Sequence, residues 1–422
     1  MTRVVAAVLA VVAVGCRPFD EALDAGLKQL EANQAGGGAG GSAGGTSGGA
    51  SGGSSGGTAG GSSGGAAGGS AGGASGGSAG GNSGGAGGGA ADGGADGGSP
   101  DGGSGGCAPA PCVEEAWTQF GRLTAFRALA TTPDGGVVAV LNQDPSPARV
   151  WRRTDGGWDD REVAFPASGP SNRTDARRVA AWSFDVIALA DSSGPNMNLE
   201  NGSSETSTCG PGSSVFSAAM PSPDEAWFGS TRATVCSWRR NGGFSDLNLT
   251  HIIGGAGMRE PIFNGVWVAP DGRRFFAGTF QTLIAELGGD GGWLVSPQTA
   301  TQSNPGYVAM RGQGLEVAAV GTSGIWARWS ETTSTWVTGV TNSTHSLRDV
   351  WLDDMGVPWV VGQTGSQGPS FVGRLGDAGV VTIPLGLADS VQLLGLTGTR
   401  TELYLGGQDL DGGRAVLYRL RR

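Results

Sequence analysis

Along residues 107–422 the apolar positions fall into short runs separated by turns rich in Gly, Asp, Asn and Pro. No stretch keeps apolar residues three and four apart long enough for an amphipathic helix, so the pattern predicts strands throughout. Seven segments share one order: an apolar run, a turn, a stronger apolar run ending in Gly or another small residue, then a hairpin whose second arm often opens on an aromatic. The stronger runs are Val137–Leu141, Val186–Ala190, Ala226–Gly229, Phe275–Gly278, Val317–Gly321, Trp359–Gly362 and Leu403–Gly406, about 40 to 50 residues apart. A period of that length without helix is the mark of four-stranded propeller blades. The hairpins repeat as well: Trp151 and Trp158 flank Arg-Arg-Thr-Asp-Gly-Gly, and Trp238 and Phe244 flank Arg-Arg-Asn-Gly-Gly. Asn-Gly and Asp-Gly supply the positive φ of tight hairpins.

The predicted fold is all-β, a seven-bladed β-propeller. The second repeat, Thr174 to Gly212, fits worst because its hairpin around Asn196 to Thr208 is polar; without it the ring has six blades. The last repeat stops at Ala415–Leu420 with only Arg421 and Arg422 beyond, so its outer strand is missing. Glu115–Phe120, upstream of the first repeat, matches that strand by its Trp and its polarity, and is expected to close the ring by pairing with the last blade. Closure removes the edges that invite aggregation. Of the 13 tryptophans, Trp151, Trp158, Trp238, Trp293, Trp329 and Trp336 fall at repeat-equivalent positions, which predicts packing between blades rather than a sugar-stacking surface.

The blades resemble the broad class of bacterial β-propellers that includes WD-repeat, kelch and Asp-box proteins. Val266–Gly272 (VWVAPDG) and Leu347–Asp354 (LRDVWLDD) carry the likeness. The only Trp-Asp is Trp158-Asp159, the double glycine at a strand end appears at Gly406-Gly407, and the Asp-Gly-Gly-Trp turns are shortened Asp boxes, so no one family is matched. Such a resemblance implies architecture and leaves activity open.

The N-terminal 106 residues read differently. Arg3 precedes an unbroken apolar run from Val4 to Val14, followed by Gly15-Cys16. A spanning helix needs about 20 apolar residues, so residues 1–15 read as a signal peptide. Ala13-Val14-Gly15-Cys16 resembles the lipobox of bacterial lipoproteins, with Ala13 where Leu is usual. The resemblance implies lipidation at Cys16 and anchoring to the cell envelope; Arg17 after it, rather than an acid, suits the outer membrane. Residues 16–34 form a juxtamembrane segment. Residues 35–106 hold 38 of the 83 glycines and nothing larger than Asn, Asp or Pro, so no core offsets the cost of ordering them. They are expected to be a disordered Gly/Ser/Ala-rich linker with a root-mean-square span of about 45 Å.

Composition narrows the chemistry. Lys28 is the only lysine, His251 and His345 are the only histidines, and the formal charge is −10. Lysine Schiff bases and poly-histidine metal sites are excluded from the domain, no cofactor or metal is implied, and the charge argues against nucleic acid. Beyond Cys16 the cysteines are Cys107, Cys112, Cys209 and Cys236. An even number in an exported chain implies disulfides, with three possible pairings; Cys107–Cys112 and Cys209–Cys236 are the pairs expected here. A sialidase-like or other propeller hydrolase would need an arginine cluster, a tyrosine with an acidic partner and positioned carboxylates. Asp349, Asp353, Asp354, Glu260 and Asp411 are present but unpaired by any motif, and His251 and His345 are placed in polar inter-blade loops. The domain is therefore expected not to be an enzyme. It is expected to be a monomeric binding module for an envelope protein or glycan, with His251, Arg259, Glu260, His345 and Arg348 on the loops of its binding face; a sialidase-like propeller glycoside hydrolase and a purely structural envelope component are the alternative readings.

Overall fold

A computed structural model describes residues 113–120, 125–142, 149–154, 157–162, 176–210, 214–254, 259–288, 292–296, 306–341, 344–365 and 368–422. The expected signal peptide, Cys16, the Gly-rich segment and the expected Cys107–Cys112 pair lie outside these residues. Among the described residues, twenty-eight strands form seven antiparallel sheets of four. Within each sheet the strands follow chain order outward, a meander. The one exception is the seventh, in which Val113–Phe120 adds outside Arg414–Arg421. The predicted closing strand is therefore present, paired from Val113 opposite Leu420 to Phe120 opposite Arg414.

The second repeat is a true blade, so the ring has seven. Its irregularity is confined to a short outer strand, Ser204–Thr206. Cys209, just beyond it, is bonded to Cys236 in the third strand of the next blade. Both cysteines are fully buried, and Trp238 Nε1 donates to Glu205 beside them at 2.7 Å. A polar hairpin that cannot bury its own apolar face is thus fastened to its neighbour by a covalent link and a charge-assisted hydrogen bond.

The second strand of each blade is covered on both faces by adjacent sheets. That is why its sequence is a continuous apolar run rather than an alternation: all six residues of Val137–Asn142 and all five of Ile187–Asp191 are buried. The terminal glycines answer to backbone approach. A Cβ at Gly229 would lie 2.4 Å from the Phe263 carbonyl of the next blade, and one at Gly406 would lie 2.7 Å from the Phe126 carbonyl of the first. The predicted aromatics do pack between blades. Phe275 of the fourth meets Trp329 and Trp336 of the fifth, and Trp158 of the first meets Tyr404 of the seventh edge-on at 5.8 Å. Among the described residues no helix is long and apolar enough to cross a membrane.

Candidate functional site

The seven innermost strands begin at one end of the ring, here the entry face. The connections between blades and the turns from second to third strands lie there too. The innermost strands are Ala125–Thr131, Ala176–Ala181, Val215–Ser222, Phe263–Val268, Tyr307–Gln313, His345–Leu352 and Val391–Gly398. Near the start of each, the register shifts by one residue: at Arg127, Arg177, Phe216, Asn264, Val308, Arg348 and Leu394. A bulged residue lacks a partner on the second strand and is re-aimed. These seven keep accessible surface while the residues flanking them are buried, apart from half-buried Arg178. An innermost strand has blades on both faces and a strand along its outer edge. Solvent in mid-strand can therefore reach it only from the central axis, and the bulges line the axial mouth.

The charge there is one-sided. The seven innermost strands carry Arg127, Arg177, Arg178, Arg311 and Arg348 against a single acid, Asp349. Two of the arginines cross the axis in opposite directions. Arg178, from the second blade, donates to the carbonyls of Val308 at 3.3 Å and Arg348 at 3.0 Å, on the fifth and sixth blades. Arg311, from the fifth blade, donates to the carbonyls of Leu129 at 3.0 Å and Val179 at 3.4 Å, on the first and second. Together they floor the mouth. Asp349 is fully buried and its Oδ2 accepts from the Leu396 amide of the seventh blade at 3.0 Å. Its Oδ1 stands 3.6 Å from Arg178 Nη2, within ion-pair range but with no hydrogen bond. Among the described residues no carboxylate forms an ion pair with Arg311, and burial lowers its pKa against the opposing pull of Asp349; Arg178 lowers it further. Arg348, half-buried and accepting from Arg178 through its own carbonyl, also has no carboxylate partner for its guanidinium among the described residues. Two arginines and one aspartate at the floor leave a net positive charge, and buried charge is stable only when compensated.

A second concavity, about 420 Å³, lies on the opposite side between the third and fourth blades. Each arginine lining it is already matched: Arg239 with Glu225, Arg273 with Asp271 and Glu331, Arg274 with Glu286. Arg274 also lies over the rings of Trp227 and Trp293. This is a structural ion-pair network with its charge spent.

The turns on the entry face are held in left-handed backbone. Arg232 and Ala233, Phe280 and Gln281, and Ser323 all have φ between 52° and 59°. Non-glycine residues adopt this conformation at a cost of roughly 1–2 kcal/mol each, and such strain gathers where function needs a fixed presentation. Arg259 lies 5.4 Å above the Phe280 ring, so one of the predicted binding-face residues meets one of these turns. Glu260 is exposed beside it, and His251 is exposed in the helical turn Thr250–Ile253.

Two expected placements are corrected. His345 is not in a loop: it opens the innermost strand of the sixth blade, 4.8 Å from the Phe371 ring, and burial lowers its pKa. Arg348 is not in a loop either: it is the bulged residue of that same innermost strand. Of the acids considered for catalysis, Asp353 is occupied structurally, accepting from Trp359 Nε1 at 3.2 Å and Arg422 Nη2 at 2.8 Å. Tyr404 donates to Glu402 at the far end of its blade. Cys209, Cys236 and Asp246 form a compact group, but the disulfide removes the thiolates a metal would need. Sequence reasoning missed Arg178 and Arg311. Their signal was arginine recurring within the first, otherwise apolar, run of a repeat.

These features define the protein as a seven-bladed propeller with an arginine-lined axis. No family model matches the chain, and no curated protein does. Solved structures do. Streptogramin B lyase aligns over 74% of this chain and 98% of its own at a TM-score of 0.55 and 13% identity. Virginiamycin B lyase from Staphylococcus aureus, solved as a catalytically inactive variant with quinupristin, aligns over 74% of this chain and 99% of its own at 0.55 and 12%. The extracellular domain of the putative one component system BT4673 from B. thetaiotaomicron aligns over 73% of this chain and 40% of that one, at 0.50 and 11%. At these identities the likeness is one of fold. It nevertheless overturns the expectation that the domain is not an enzyme, because enzymes stand among the propellers it matches. The expectation rested on missing motifs, and a propeller site assembled from seven separate strands leaves no contiguous motif to find.

Proposed function

We propose that this protein is a lipid-anchored propeller of the cell envelope that recognises an envelope protein or glycan through its entry face. Cys16 is the lipidated residue in this reading, the outer membrane the destination, and residues 35–106 the tether that lets a monomeric ring sweep for its ligand. The single observation that carries it is the convergence, at one end of the ring, of left-handed turns and an arginine-lined mouth whose charge the innermost strands do not balance. Rigid rings commonly present ligands to such loop-bearing faces. The Cys209–Cys236 bond suits an oxidising compartment outside the cytoplasm.

Site-specific photocrosslinking in cells producing the full chain tests the face. A photoreactive residue replacing Arg232, on an entry-face turn, is expected to give discrete adducts. One replacing Met355, which is 83% exposed in a turn at the opposite end, is expected to give none. Adducts from Met355 alone, or from neither site, would refute the proposal. Mass analysis of the captured species also reads whether it is altered on binding.

A further inference from the structure

The charge at the axis specifies what the entry face takes. We infer that the axial mouth is a site for a compact oxyanion, a carboxylate, sulfate or phosphate group entering along the ring axis; the inference deepens the recognition reading and rests on it. Three observations converge. Arg178 and Arg311 place two guanidinium groups across the axis, held by five carbonyl oxygens, so their positions are set before any ligand arrives. One carboxylate, Asp349, faces them and makes no hydrogen bond through Oδ1, leaving the floor one negative charge short. Arg348, whose own carbonyl accepts from Arg178, borders that floor half-buried and with no carboxylate partner for its guanidinium among the described residues.

Arginine forks fit planar or tetrahedral oxyanions through paired N–H donors, and such bonds are about twice as strong as neutral ones. The backbone carbonyls that hold the floor satisfy donors but supply no full negative charge, so an anion is the species that completes the electrostatics. The chain's overall charge of −10 shapes the other side of the selection. Long polyanions must cross an acidic surface, whereas a small anion, or one anionic terminus, meets only the local positive field. The disulfide-braced second blade, which carries Arg178, keeps that half of the floor from moving.

The test uses the purified full chain with sulfate, phosphate, citrate, tri-galacturonate and dextran sulfate, measured by calorimetric titration at low salt. Saturable binding of at least one small anion is expected, weakened about tenfold or more by Arg348→Gln and unchanged by Arg240→Gln, an arginine in an outer hairpin turn. Tighter binding of tri-galacturonate than of citrate would assign the anion to an acidic glycan, and the reverse order to a free acid. No binding by any small anion, equal binding by both variants, or binding by dextran sulfate alone would overturn the inference. Should Arg348→Gln lose its folded circular-dichroism spectrum, phenylglyoxal labelling of the wild-type chain decides instead. Arg348 is expected to be protected by the anion, and labelling that the anion leaves unchanged would overturn the inference. None of these readouts needs the cellular partner, so their failure is separable from failure of the photocrosslinking.

Discussion

Reducing the Cys209–Cys236 bond perturbs one link between the second and third blades and nothing else, because the thiols retain the volume and burial of the cystine. The sequence separation is 27 residues. In the chain-entropy treatment, a loop of that length lost from the unfolded state corresponds to about 3.5 kcal/mol at 25 °C. An unfolding entropy of about 2.1 cal/mol/K per residue over roughly 300 residues converts this to a fall in Tm of about 5–6 °C. Urea unfolding of a chain carrying Cys107→Ser and Cys112→Ser, which removes the other expected bond, with and without a phosphine reductant and followed by tryptophan fluorescence, measures the first figure, and calorimetry the second. Hydrogen exchange should locate the loss. Amides of Ser204–Thr206, the shortest outer strand alongside Trp293–Val295, should open first, because the bond and the Trp238–Glu205 contact are what hold that strand to the next blade. A change below about 1 kcal/mol would refute the reasoning, as would a faster exchange spread evenly round the ring.

Asp349→Ala leaves Arg178 and Arg311 facing each other across the axis without a carboxylate, and a stability loss of about 3–5 kcal/mol in urea is expected; added sulfate should recover part of it, and a loss near zero would contradict the burial of that charge. Gly406→Ala places a Cβ 2.7 Å from the Phe126 carbonyl at the junction of the seventh and first blades, and should cost about 1–3 kcal/mol by thermal melting. The lowered pKa of His345 means that the unfolded chain binds its proton more readily than the folded one. Stability from this group is therefore complete above its ordinary pKa of 6.5 and declines as pH falls below that value toward the folded pKa. Melting between pH 7.5 and 5.5 should show the decline, and His345→Gln should flatten it.

Much of the architecture was legible because it rests on features that repeat. Buried second strands must be apolar on both faces, and their ends must be small where the next blade's backbone approaches, so Phe275–Gly278 and Val317–Gly321 announce themselves. The closing strand was legible from a deficit, since Ala415–Leu420 lacks the partner that Trp117 and its neighbours supply. The axis was not. Its residues are scattered over blades far apart in sequence, on strands of low apolar contrast, and a bulge in each strand shifts the register by which inward and outward positions are told apart. Arg348 was noticed as a loop residue and proved to be an axial one. Arg178 and Arg311 acquire meaning only when two blades far apart in sequence face each other across a closed ring. The charge was likewise hidden by averaging: an acidic chain encloses a basic axis.

Selenate carries an anomalous scatterer on an oxyanion, and a crystal of the propeller soaked in it reads the axis directly. The strongest anomalous peak is expected on the ring axis, within hydrogen-bond reach of the Arg348 guanidinium and above the crossed Arg178 and Arg311. A map whose peaks all lie on the outer surface, with the mouth empty, would contradict the account.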